Sequence, residues 1–171
     1  MPQSISLSTS ADKVHRGNMS QFYVAAELSR RGYMAVITMG NCPNTDILCS
    51  NKDGTKFIHI QVKTFRPGDT ACSVGKKAER FYGDNFFWIL SGIPEPDSEG
   101  TFQYYIVPSK EMAKNITASH KIYLNTPGQH GQQRSRESKF RKVILPPGKS
   151  LNGWSVSEYL NDWSLIATKL K

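Results

Sequence analysis

Apolar and polar side chains alternate most regularly between residues 56 and 64, where Ile58, Ile60 and Val62 are interleaved with His59, Gln61 and Lys63. A period of two sends the first three to one face of a strand and the second three to the other. Just upstream, Asp46-Ile47-Leu48-Cys49 reads as a short, mostly apolar strand, and Asn51-Lys52-Asp53-Gly54 carries the Asp-Gly signal of a tight reversal. The two strands make a β-hairpin whose core lies under the isoleucines. Ahead of it, Met19, Phe22, Tyr23, Ala26 and Leu28 recur at helical spacing from about residue 18. Gly32 is placed to end that helix, and Arg30 and Arg31 suit its C-terminal end. Residues 33–38 read as a first strand and residues 39–45 as the loop that delivers Asp46, with Asn41, Pro43 and Asn44 as turn formers.

Beyond the hairpin the alternation breaks at Arg66-Pro67-Gly68-Asp69, and residues 75–80 read either as a short helix or as a mobile basic loop. Phe86-Phe87-Trp88-Ile89-Leu90 is a continuous apolar run suited to a buried central strand. After an exposed turn over residues 94–100, Phe102, Tyr104 and Ile106 alternate with Gln103, Tyr105 and Val107 in a further strand, giving a second hairpin. A helix capped by Ser109, with Pro108 just ahead of it, is expected to run to about residue 116. Ile122-Tyr123-Leu124 reads as a short strand and residues 126–133 as loop. Ser155 or Ser157 caps an expected C-terminal helix with Tyr159, Leu160, Trp163, Ile166 and Leu170 on its apolar face. Residues 1–12 are Ser-rich and expected to be a loose tail, with room for a short docked strand at Ile5 and Leu7. The remainder, 13–171, is expected to be a single domain with a basic loop near residues 126–142.

Composition narrows the function. At 171 residues and 38% hydrophobic the chain is globular, with no apolar run near the roughly 18 residues of a membrane span. Its three cysteines, Cys42, Cys49 and Cys72, are an odd number without C-x-x-C spacing and follow no secretory signal, which points to a reducing cytoplasm and away from zinc. A net charge of +8 points to a polyanionic partner, above all nucleic acid. Lys76, Lys77 and Arg80 form one basic cluster, and Arg134, Arg136, Lys139, Arg141 and Lys142 beside Phe140 form another. Both are candidate phosphate contacts, with a solvated surface as the alternative reading. His120 and His130 have no evident metal-binding partner, and no P-loop, dinucleotide or Ser-His-Asp signature is present.

The polar face of the central hairpin is open to two readings. It is the wet face of a half-covered sheet, or it is a site for a hard divalent cation. Asp46 would supply a carboxylate from one strand, Gln61 an amide oxygen from the other and Val62 a backbone carbonyl, donors suited to Mg²⁺ with Mn²⁺ as a substitute. Lys63 would stand beside them as a point charge able to stabilise a phosphoryl transition state.

A strand bearing Asp46, a hairpin, and a strand bearing Gln61-Val62-Lys63 together resemble the PD-(D/E)xK nuclease superfamily, which includes archaeal Holliday-junction resolvases. The stretch Gly17-Asn18-Met19-Ser20-Gln21, leading into a helix that ends at Arg31-Gly32-Tyr33, is similar to the first helix of the resolvase type. The resemblance covers about residues 16–64. It implies an α/β, restriction-endonuclease-like fold with an αβββαβ core, a central mixed sheet flanked by helices, and C-terminal additions. It implies catalytic roles for Asp46, Gln61 and Lys63, a helix contact from Gln21, a DNA substrate, a prokaryotic setting and a homodimer. Two positions that the family fills with acids are glutamines here, Gln21 and Gln61, which leaves one carboxylate. Glu27 does not replace Gln21, because six helical residues turn through about 240°. Three readings follow: a Mg²⁺-dependent DNA endonuclease, a weak or inactive DNA-binding or assembly module of the same fold, and a structural protein with a merely solvated basic surface.

Overall fold

The computed structural model describes residues 10–38 and 42–171. The chain runs α1 (Ser10–Arg30), β1 (Met34–Ile37), β2 (Ile47–Ser50), β3 (Phe57–Phe65), β4 (Ala71–Ser73), a 3₁₀ turn (Lys76–Glu79), β5 (Phe86–Gly92) and β6 (Gln103–Pro108). It continues with α2 (Ser109–Asn125), β7 (Lys142–Ile144), a second 3₁₀ turn (Ser157–Tyr159) and α3 (Ser164–Leu170). The main sheet has the order β1-β2-β3-β5-β6, and β4 pairs with β7 in a separate ribbon. Only β3 and β5 are parallel in the main sheet, so it is mixed, as expected.

Strict alternation sorts the core into two layers. Ile58, Ile60 and Val62 of β3 join Ile47, Phe87, Ile89 and Ile106 under Val24 and Leu28 of α1 and Ile166 of α3. On the opposite face Phe65, Phe86, Trp88, Leu90 and Val107 pack with Met112 and Ile116 of α2 and with Cys72 and Val143 of the ribbon. Burying each such aliphatic chain contributes roughly 1.5–3 kcal/mol over leaving it exposed. The central strand β5 is buried along its whole length, in keeping with its unbroken apolar run. Gly92 ends it opposite Phe65, so close that a Cβ there would lie 2.5 Å from the ring.

Several elements depart from the sequence expectation. Helix α1 begins at Ser10, inside the stretch expected to be tail: no proline interrupts residues 10–18, and the helix runs through Gly17 although little there marks an apolar face. Ile5, Leu7 and Asn41 lie outside the described residues. Helix α2 continues through Ile122, Tyr123 and Leu124, which are not a strand. The stripe of Met112, Ile116 and Tyr123 at helical spacing carries the helix on. Ser109 does not cap it: Pro108 holds that position, and the Ser109 hydroxyl instead accepts a bond from the Tyr82 N–H at 2.9 Å. The expected C-terminal helix is broken at Asn161, where φ is 52°. Asn161 bonds to the β6 backbone, with its N–H on the Tyr104 carbonyl at 2.6 Å, so the edge of the sheet outcompetes helical continuity. The crossover from β3 to β5 is made by β4 and the first 3₁₀ turn, where the αβββαβ order places a full helix.

Candidate active site

The hairpin turn sets the register that assembles the polar face. Asn51 closes it, its side-chain oxygen accepting from the Thr55 and Lys56 N–H groups at 2.9 and 3.1 Å. Gly54 takes φ 66°, a conformation that favours glycine. Ile47 then lies opposite Ile60, and the ladder extends by one bond, from the Asp46 N–H to the Ile60 carbonyl at 2.8 Å. Past that point the Asp46 carboxylate takes the place of backbone. It accepts the Val62 N–H at 2.7 Å and a short bond from the Gln61 side-chain amide. Asp46 and Gln61 therefore sit side by side, and Lys63 follows on the same face two residues along β3.

Burial sets the electrostatics of this group. Withdrawal from water raises the Asp46 carboxyl above its ordinary range. The Val62 N–H, the Lys63 ammonium, the Gln61 amide and the Lys77 ammonium oppose that shift in descending order. Lys77 belongs to the first 3₁₀ turn, so the basic segment after β4 is brought within electrostatic reach of Asp46. Gln61 is only 8% exposed and stands in register beside Trp88 on the neighbouring strand, which restricts its side chain. The loop before Asp46 is also held. The Thr38 hydroxyl donates to the Thr45 carbonyl at 2.6 Å, and Tyr82 donates to the Asn44 side chain at 3.5 Å. Asn44 has φ 65°, in line with its expected role as a turn former. Thr45 also meets His59 Nδ1 at 3.3 Å, a contact the sequence reading missed although His59 shares the parity of Gln61 and Lys63.

The donor set fits a hard cation, with few protein charges. Among the described residues no three His, Cys, Asp or Glu side chains cluster as metal ligands. Oxygen donors are nonetheless gathered. The Val62 N–H faces Asp46, and because N–H and C=O of one strand residue share an edge, its carbonyl opens to the same side. Gln61 directs its amide nitrogen at the carboxylate, so it would turn over to offer its oxygen. One carboxylate, two neutral oxygens and water suit Mg²⁺, which keeps several waters when protein-bound. Gln21 is half-buried on the inward stripe of α1 that holds Val24 and Leu28, and among the described residues no hydrogen bond joins it to Asp46, Gln61 or Lys63.

The basic residues divide by environment. Lys76, Lys77, Arg80, Arg136, Lys139 and Lys142 are exposed. Arg80 lies over the Tyr82 ring at 5.2 Å and Arg134 over Tyr123 at 4.6 Å. Arg141 differs. It is buried, its Nε donates to Glu79 at 2.6 Å, and its Nη1 donates to the Ser138 and Phe140 carbonyls. Its charge is committed to fastening the 3₁₀ turn to the segment before β7, which a run of basic letters does not reveal.

No protein-family model and no curated protein matches the sequence. Among solved structures, the fold is similar to that of a bacterial homing endonuclease, I-Ssp6803I, with a TM-score of 0.53 and 13% identity over 92% of this chain and 93% of that one. The Holliday junction resolvase Hjc from the archaeal hyperthermophile Archaeoglobus fulgidus aligns with a TM-score of 0.42 and 16% identity over 75% of this chain and 83% of its own, too weak a likeness to bear on the assignment. The chain has the restriction-endonuclease-like α/β fold.

Proposed function

We propose that this protein is a metal-dependent nuclease that hydrolyses phosphodiester bonds in DNA, with its site at Asp46, Gln61 and Lys63. The observation that supports this reading best is the meeting of Asp46, Gln61 and the Val62 backbone at one point, with Lys63 and Lys77 close enough to perturb the carboxyl. Asp46, Gln61 and the Val62 carbonyl would hold Mg²⁺ or Mn²⁺, which supplies Lewis-acid stabilisation of a phosphoryl oxygen and a more acidic bound water. Lys63 orients the attacking water and stabilises the charge that builds on the scissile phosphate. Lys77 holds the neighbouring phosphate, and the Val62 N–H keeps Asp46 oriented. The exposed lysines and arginines bind the DNA backbone, and two copies of the chain meet a two-fold substrate.

A second reading rests on the single carboxylate of the cluster: a DNA-binding or assembly module whose chemistry is weak or lost. Plasmid, linear, single-stranded and branched DNA incubated with Mg²⁺ or Mn²⁺ separates the two. Cutting of any of them supports the nuclease. Salt-sensitive binding of DNA without cutting favours the module. Light scattering that returns one chain mass, 19.2 kDa, counts against the dimer. We place the protein in the cytoplasm, where its three cysteines stay as the free thiols seen here. No described helix is long and apolar enough to cross a membrane.

A further inference from the structure

Away from Asp46, the outer face of the β4–β7 ribbon and the C-terminal half of α2 enclose an open cavity of about 580 Å³. The inner face of the ribbon, Cys72 and Val143, is spent on the core. Ile116, Ile144 and Leu151 give the cavity an apolar lining, His120, Tyr123 and Phe140 an aromatic one, and Lys142 a charge. Phe140 is 85% exposed, the highest value among the exposed large apolar side chains of the described residues. Its backbone is nevertheless held, because the buried Arg141 guanidinium donates to the carbonyls of Ser138 and Phe140 at 2.7 and 2.8 Å and is itself anchored on Glu79. Tyr123 is already engaged, stacked on His120 and covered by Arg134. Phe140 enters no aromatic pair among the described residues, so its ring is free.

We infer that this cavity seats an unpaired nucleobase of the DNA substrate, stacked on Phe140 with its flanking phosphates on Lys139 and Lys142. The inference rests on the DNA-acting reading above and extends it to a substrate class, DNA carrying an unpaired or single-stranded nucleotide. The size is that of a small-molecule pocket, which admits one extruded base and excludes a duplex. An aromatic platform with cations beside it is the chemistry that holds a base without reading its sequence. Continuity with the candidate active site comes from the 3₁₀ turn. Its Glu79 accepts from Arg141 in the cavity wall at 2.6 Å, and Lys77 belongs to the same turn. Burial and the nearby Arg141 hold His120 below its ordinary value, so near pH 7 it is a neutral ring that adds to the stacking surface.

The test is fluorescence anisotropy with the full chain in chelator, using one duplex, the same duplex with a single bulged base, and the bulged duplex with an abasic residue at the bulge. The bulged duplex is expected to bind about tenfold more tightly than the other two. Phe140→Ala should remove that preference while leaving duplex affinity and Tm unchanged, and Phe140→Trp should keep it. Equal wild-type affinity for all three DNAs overturns the inference and leaves the DNA-acting reading standing. Loss of duplex affinity in step with bulge affinity in Phe140→Ala also overturns it. Absence of salt-sensitive binding to any DNA overturns both. A doubled mass in light scattering that falls to one chain in Phe140→Ala, with no base preference, assigns the cavity to a second copy instead.

Discussion

At Asp46 burial and chemistry pull in opposite directions. Its carboxyl is held above the ordinary value of 3.8, chiefly by desolvation. A carboxyl raised in the folded state contributes stability that is present below 3.8 and lost as pH rises through the folded value, so near neutrality the ionised group costs stability. A bound cation would offset that cost and stabilise the fold by mass action, by about 2.7 kcal/mol at a hundredfold excess over Kd. Mg²⁺ or Mn²⁺ is therefore expected to raise the Tm of the wild type by several degrees near pH 7, with a smaller rise at acidic pH where Asp46 is protonated. Asp46→Ala should abolish the shift, and a scan of Tm against metal concentration at two pH values checks both parts. An equal shift in wild type and variant would place the metal elsewhere.

At the scale of elements, what was legible in the sequence follows from period. The β2–β3 hairpin, the buried β5 and the antiparallel β6 all have strict alternation or an unbroken apolar run between turn residues. The candidate site was legible for the same reason, since a clean register puts Asp46 beside Gln61 with Lys63 on their face. What was not legible lacks period. Strands β4 and β7 are three residues each and pair across a long separation, and the start of α1 is polar. Asn161 breaks the last helix because of a bond to a strand that precedes it by more than fifty residues. Close packing at the end of β5 gives a prediction of its own. Gly92→Ala would push on the buried Phe65 ring, two residues from Lys63 on the same face of β3. Overpacking of this kind costs about 1–3 kcal/mol, so chemical denaturation should show a lowered midpoint. Catalytic loss beyond the loss of folded protein would show that Lys63 moves with Phe65.

Across the whole molecule, the net charge of +8 is spread unevenly in function. Exposed Lys76, Lys77 and Lys142 are free to displace counterions from DNA, whereas Arg141 is buried against Glu79. Alanine at each of the three lysines should weaken DNA binding at every sequence and reduce the slope of log K against log salt by about 1. Arg141→Ala should act differently, costing about 3–5 kcal/mol of stability by leaving Glu79 unpaired. Binding isotherms over a salt series, together with melting curves, distinguish the two behaviours.

The most direct measurement is single-turnover cleavage of DNA with Mg²⁺ or Mn²⁺ by the wild type, Asp46→Ala and Lys63→Ala, with binding of the same DNA measured in parallel. Metal-dependent cutting by the wild type is expected to fall by about 10²–10³-fold in Lys63→Ala and to background in Asp46→Ala, while both variants still bind. A wild type that binds DNA and cuts none of it, or cutting that survives both substitutions, would contradict the assignment of hydrolysis to this hairpin.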